Sequence, residues 1–235
     1  SNFPPFEDFI FERLKSKIRK YYVENFICEK QDKIFLENHN KQYVTFFLQS
    51  EPELIIYKLG GRHFSDQKSI IKNLALSLPS NFILLVKEHK SQGINSRYRN
   101  LQFFKDIKSY SNVRIVNSQD DPIKLINKSF AVANLSGTIG LEAIIRNKPL
   151  ILFGSVFYQN YKNVFQIKKF EDLDNIIYRI IQNKENFKDE NECLKFAFAL
   201  RKTMFKGNIF DGSYLTKNND LFLVESLKKL FSIYK

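Results

Sequence analysis

The chain has 235 residues, 43% of them apolar, which suits one large domain or one domain with an appended piece. A formal net charge of +12, carried by scattered lysines, favours anionic partners: nucleic acid, an anionic membrane surface or phosphorylated substrates. Cys28 and Cys193 lie too far apart in sequence for a metal or redox motif and read as free thiols of a reducing compartment, and no run of eighteen apolar residues offers a transmembrane helix.

No charged-then-apolar leader opens the chain. Ser1-Asn2 reads as the remnant of a cleaved tag, so the chain is expected to start inside a longer protein. Apolar residues from Phe6 to Phe26 recur at helical spacing, with a basic cluster of Lys15, Lys17, Arg19 and Lys20. Residues 1–40 are read as an N-terminal linker helix region. Its basic face is either solvated or set against a membrane.

Residues 41–235 are read as one α/β domain. Tyr43–Gln49 is a strand that empties into the polar loop Gln49–Glu53. Leu59–Arg62 is a turn. A helix over 66–78 follows, with Ser65 as its expected N-cap, and Pro79 ends it. Phe82–Val86 is a second buried strand, leading into Lys87-Glu88-His89-Lys90. A helix is expected around Leu101–Tyr110 and a third strand at Val113–Val116. Asp120-Asp121-Pro122 opens a short helix with proline where its missing N–H costs nothing. Phe130–Leu135 is a fourth strand, Leu150–Gly154 a fifth, and Val164–Ile167 a short extended piece. Helices are expected over 171–183, 188–205 and 218–233.

Strands that are near-continuous apolar runs, alternating with helices, predict a Rossmann-like parallel sheet covered by helices on both faces, with extra C-terminal helices. Ligands of such sheets bind beyond the carboxyl ends of the strands. There the chain places Gln49–Glu53, Lys87–His89, Asn117–Asp121, Ser136–Thr138 and Gly154–Tyr158. Ser136-Gly137-Thr138, between strand and helix, would aim free amides, hydroxyls and a helix dipole at one point, which suits a phosphate. Ser136 or Thr138 acting only as a helix cap is the simpler reading. Glu142 falls one turn into the helix. Lys87 serves phosphate or merely leaves its strand, and Tyr158 and Tyr161 read as packing.

Several chemistries are excluded. There is no dinucleotide fingerprint, no P-loop, no metal-ligand spacing among His39, His63 and His89, and no nucleic-acid module.

The blocks Tyr43–Glu53, Gly60–Gln67, Val86–Ser91, Tyr98–Arg99, Ser136–Glu142 and Asn147–Gly154, in that order, resemble the capsule polysaccharide biosynthesis proteins. The likeness covers about residues 43–160 and departs at His89-Lys90, where that family has His-Pro. It implies one half of a GT-B fold: the donor-binding half of a glycosyltransferase for bacterial surface polysaccharide. The nucleotide-sugar, CMP-linked in the Kdo transferases of the family, is a substrate, and no cofactor is expected. The resemblance assigns His89, Ser136, Gly137, Thr138 and Glu142 to the nucleotide, and Lys87 joins these candidates by its own place at the strand end. Glu51, Glu53, Asp66 and His89 become the acid, base or nucleophile candidates, although each carboxylate also reads as a loop or helix-start residue. Expected partners are a glycan or glycolipid acceptor and the missing N-terminal GT-B half. The expected place is the cytoplasm, at the inner face of the inner membrane. A UDP-sugar epimerase, or a non-catalytic anion-binding module docked on a membrane or partner, are the other readings.

Overall fold

A computed structural model describes residues 6–51, 64–90, 92, 99–183, 187, 189–203 and 225. The chain divides into two compact units, Ser1–Asp189 and Glu190–Lys235. The expected turn at Leu59–Arg62 and the expected helix over 218–233 lie outside the described residues.

The first unit is built on six parallel strands: β1 (Gln42–Phe47), β2 (Phe82–Lys87), β3 (Val113–Val116), β4 (Ala131–Asn134), β5 (Leu150–Leu152) and β6 (Val164–Gln166). Their order in the sheet is β3-β2-β1-β4-β5-β6. Val44 lies beside Leu84 on one side and Ala131 on the other, and Phe46 beside Val86 and Ala133. Both faces of these strands are apolar because both are covered. Val44, Phe46, Leu84 and Val86 join the main core, while Tyr43, Ile83 and Leu85 point the other way and are equally buried.

The helices follow from their caps. α3 (Gln67–Ser77) starts at Asp66, whose carboxylate accepts from the Lys68 amide at 3.0 Å and the Ser69 hydroxyl at 2.5 Å. Asp66 therefore takes the capping place expected of Ser65, since its carboxylate meets both a free amide and the positive end of the helix. α4 (Leu101–Lys108) is capped by Asn100, and α5 (Pro122–Lys128) by Asp121 with Pro122 in its first turn. α6 (Ile139–Ile145) follows β4, and α7 (Leu173–Gln182) follows β6. α3 packs against α4 and α7, and α5 against α6. Right-handed crossovers running outward from β1 and β4 in opposite directions place these two groups on opposite faces.

The N-terminal segment belongs to the same compact unit as the sheet. α1 (Phe6–Tyr22) runs into a π-turn at Val23–Ile27, and α2 (Gln31–Glu37) follows, a helix the sequence did not announce. Val23 and Ile27 enter the main core. The Glu29 amide donates to the Ile115 carbonyl at 2.8 Å, so the segment pairs with the outer edge of β3. In the second unit, α8 (Glu190–Thr203) carries a Lys195–Glu192 ion pair at 2.8 Å.

Gly140 permits the close seating of α6. A Cβ there would meet the Tyr158 hydroxyl at 2.5 Å and its ring at 2.8 Å. Gly140→Ala is therefore expected to cost about 1–3 kcal/mol by overpacking. Thermal unfolding should show a fall in Tm of several degrees, and an unchanged Tm would refute the contact.

Candidate functional site

From the β1–β4 pair the chain winds outward in two directions, so the loops after these strands part from each other. Open α/β sheets bind ligands at such a point. A cleft of about 460 Å3 lies there, lined among others by Gln49, Lys87, His89, Lys90, Thr138 and Glu142.

The rim is held by one buried cation. The Arg99 side chain is 1% exposed. Its Nη1 donates to Glu88 Oε1 at 2.7 Å, and its Nη2 to Glu51 Oε2 at 3.0 Å and to the Gln49 carbonyl at 2.9 Å. The guanidinium also lies 5.1 Å from the centre of the Phe103 ring. Glu51 Oε1 accepts from Gln67 Nε2 at 3.0 Å, and Gln67 Oε1 accepts from the Gln49 amide at 2.8 Å. Gln92 closes the loop by accepting from the Glu51 amide at 2.6 Å. Glu88 Oε1 also accepts from the His89 amide at 2.7 Å. Arg99 thus fixes the loop after β1 to the loop after β2, and through Glu88 it sets the backbone that presents His89. Burial pushes the Glu88 carboxyl up from its ordinary value, while the Arg99 charge pulls it down.

The loop after β4 is joined to the same frame. Ser136 Oγ donates to Gln49 Oε1 at 2.8 Å. The Gly137 carbonyl accepts from Tyr158 Oη at 2.6 Å and from Asn134 Nδ2 at 2.9 Å. Thr138 begins α6 without a side-chain capping bond, so its hydroxyl is not spent on the helix. Glu142 lines the cleft, and its Oε2 accepts from Arg146 one turn on at 2.5 Å. Asn134 is 1% exposed, and its Oδ1 is buried without a partner at the cleft floor.

Lys87 closes the floor. It is 4% exposed, and its ammonium donates to the Ser118 carbonyl at 2.7 Å and the Asn117 carbonyl at 3.3 Å. Burial lowers its pKa from the ordinary 10.5 to about 8, against the opposing pull of Asp120.

The structure brings Lys87, His89, Gly137, Thr138 and Glu142 together around one cleft. Ser136 stands behind it and braces Gln49. Glu51 has both oxygens engaged, by Gln67 and Arg99, and is not among the described residues lining the cleft. Asp66 is exposed, with its carboxylate committed to the start of α3. Glu53 lies outside the described residues. Among the described residues, no group of His, Cys, Asp and Glu could hold a metal. Sequence reasoning did not assign a role to Arg99, Gln67 or Asn134. Their partners come from distant loops, and no local spacing announces such a pairing. Tyr158, expected as packing, is buried and also bonds the turn.

The profile of the family described as "Capsule polysaccharide biosynthesis protein" matches residues 8–161. Among solved structures, HepE of Anabaena in complex with UDP-glucose aligns with a TM-score of 0.50 and 17% identity, over 88% of this chain and 55% of that one. KpsC of Thermosulfurimonas dismutans, a β-Kdo 2,7 transferase, aligns with a TM-score of 0.44 and 17% identity, over 68% and 47%. MnaA of S. aureus, solved with UDP, aligns with a TM-score of 0.45 and 14% identity, over 78% and 50%. The chain spans about half the length of these structures. No curated protein matches it in sequence. The likeness to HepE is one of fold.

Two outcomes follow from the frame. Arg99→Met leaves two half-buried carboxylates, 17% and 11% exposed, without their cation and is expected to cost about 3 kcal/mol in denaturant unfolding. A loss below about 1 kcal/mol would show that the pairs contribute little. For Lys87, the folded state releases its proton near pH 8, before the unfolded chain does near 10.5. The penalty of burying this charge is thus fully present below pH 8 and fades as pH rises to 10.5. Wild-type stability measured against Lys87→Met should climb through that window, and a flat difference would contradict the burial argument.

Proposed function

Because this chain belongs to the capsule polysaccharide biosynthesis protein family, we propose that its rim cleft binds the nucleotide portion of an activated sugar, as the donor half of a GT-B glycosyltransferase. The observation that carries this reading is the gathering of Lys87, His89, Lys90, Thr138 and Glu142 in one cleft at the switch point of the sheet. Its chemistry matches a nucleotide phosphate next to a ribose. The departing phosphate gains negative charge as the bond to the sugar breaks, and nearby cations and hydroxyl donors stabilise that charge more than the ground state. His89 is placed to donate a hydrogen bond or a proton to it. Glu142, steadied by Arg146, is placed to accept from ribose hydroxyls.

Of the acid, base and nucleophile candidates among the described residues, His89 is the one that lines the cleft. Glu51 acts instead as a positioning residue through Arg99. The acceptor, a glycan or glycolipid, and any carboxylate that works on the sugar belong in this reading to a second Rossmann-like half. A CMP-linked donor is the finer expectation, supported by the resemblance of the Val86–Ser91 and Ser136–Glu142 blocks to those of Kdo transferases. Cys28 and Cys193 stand as thiols and not as a disulfide, which suits the cytoplasm.

Calorimetric titration with CMP and with UDP tests both levels. Binding of either nucleotide, weakened about tenfold or more by His89→Ala and by Thr138→Val, is the expected result. Tighter binding of CMP supports the CMP-sugar, and tighter binding of UDP removes it while leaving the donor site. Failure of a folded chain to bind either nucleotide would sink the donor-site reading.

A further inference from the structure

The N-terminal segment has two faces. Ser16, Val23 and Ile27 point inward and are buried. On the opposite side Leu14, Ile18, Tyr21 and Tyr22 are 53%, 61%, 63% and 43% exposed, and Phe26 is 64% exposed. At about 100° per residue the four residues of α1 form one stripe, with Lys17 at one border and Lys15 at the other, both exposed. Tyr22 and Phe26 stack on each other, ring centres 5.1 Å apart, in the open. A solvated helix has no need of such a stripe.

We propose that this face docks on an anionic lipid bilayer, with α1 lying in the plane of the interface. Three observations select that occupant. Apolar residues bordered by lysines fit an interface where rings and aliphatic chains enter and ammonium groups stay with the headgroups. Tyrosine suits the boundary between tails and water. The formal charge of +12 supplies long-range attraction to negative lipid. Among the described residues, no helix is long and apolar enough to cross a membrane, so the contact is one of surface.

The inner face of the same segment leads to the cleft. Arg19, Lys20, Val23, Glu24 and Cys28 border a small pocket of about 40 Å3, and His89 closes it from the other side. His89 also lines the donor cleft. One short segment thus carries the docking face on its outer side and a pocket shared with His89 on its inner side. The docking itself does not depend on which donor binds.

Co-sedimentation of the full chain with vesicles tests it. The chain should pellet with vesicles of equimolar phosphatidylcholine and phosphatidylglycerol and stay in solution with phosphatidylcholine alone. Lys15→Gln with Lys17→Gln should weaken partition about thirtyfold. Ile18→Asn with Tyr21→Asn should weaken it by more than about tenfold. All four positions are exposed, so an unchanged melting temperature checks that the fold is kept. Absence of pelleting with either vesicle, or variants that pellet like the wild type, would overturn the proposal. So would a self-associated chain that the Ile18/Tyr21 variant converts to monomer without any vesicle binding, since the face would then belong to a second copy.

Discussion

A guanidinium taken out of water must be surrounded by acceptors, and this necessity organises the functional end of the molecule. Arg99 meets it with Glu51, Glu88 and the Gln49 carbonyl, drawn from the loops after β1 and β2. The residues that supply these acceptors also hold something else. Glu88 takes the amide of His89, and Gln49 takes the hydroxyl of Ser136. One buried charge thereby fixes three loops whose ends are far apart in sequence. The energy of such a cluster is modest in net terms, because desolvation offsets much of the attraction. Its effect is geometric: this one arrangement of the loops gives the guanidinium three hydrogen bonds, while its Nε and the second Glu88 oxygen stay buried without a partner.

The same logic explains why carboxylates that look available for chemistry are not all alike. Glu51 and Asp66 were both expected as acid, base or nucleophile candidates, yet one closes the Arg99 cluster and the other starts a helix. Glu142 points into the cleft and has Arg146 at its back. A carboxylate engaged at both oxygens orients the protein, whereas one with an oxygen facing the cleft can orient a ligand.

The sheet was legible because its signal is local. Runs such as Phe82–Val86 and Val113–Val116 are apolar on both faces, and that pattern has one economical solution. The Ser136–Glu142 turn and the polar strand ends placed the cleft for the same reason. Arg99 was not legible as a hub, because its meaning lies in residues 48 and 11 positions away. The capping place of Asp66 lay one residue from expectation, since Ser65 and Asp66 offer nearly equivalent chemistry. α2 escaped notice because its seven residues carry too little apolar periodicity.

The pairing of Glu29 with β3 has a consequence for where this domain can be cut. An outer strand offers unsatisfied amides and carbonyls to any extended chain that passes. Here the molecule's own backbone occupies part of that position, and Lys108 and Asp120 fasten the flanking residues by bonds to the Ile27 carbonyl and the Gln31 amide. A chain begun at the first strand would keep every catalytic candidate and lose this cover. Its bare margin would recruit the same margin of a neighbour, so the trimmed protein would tend toward strand exchange and insolubility.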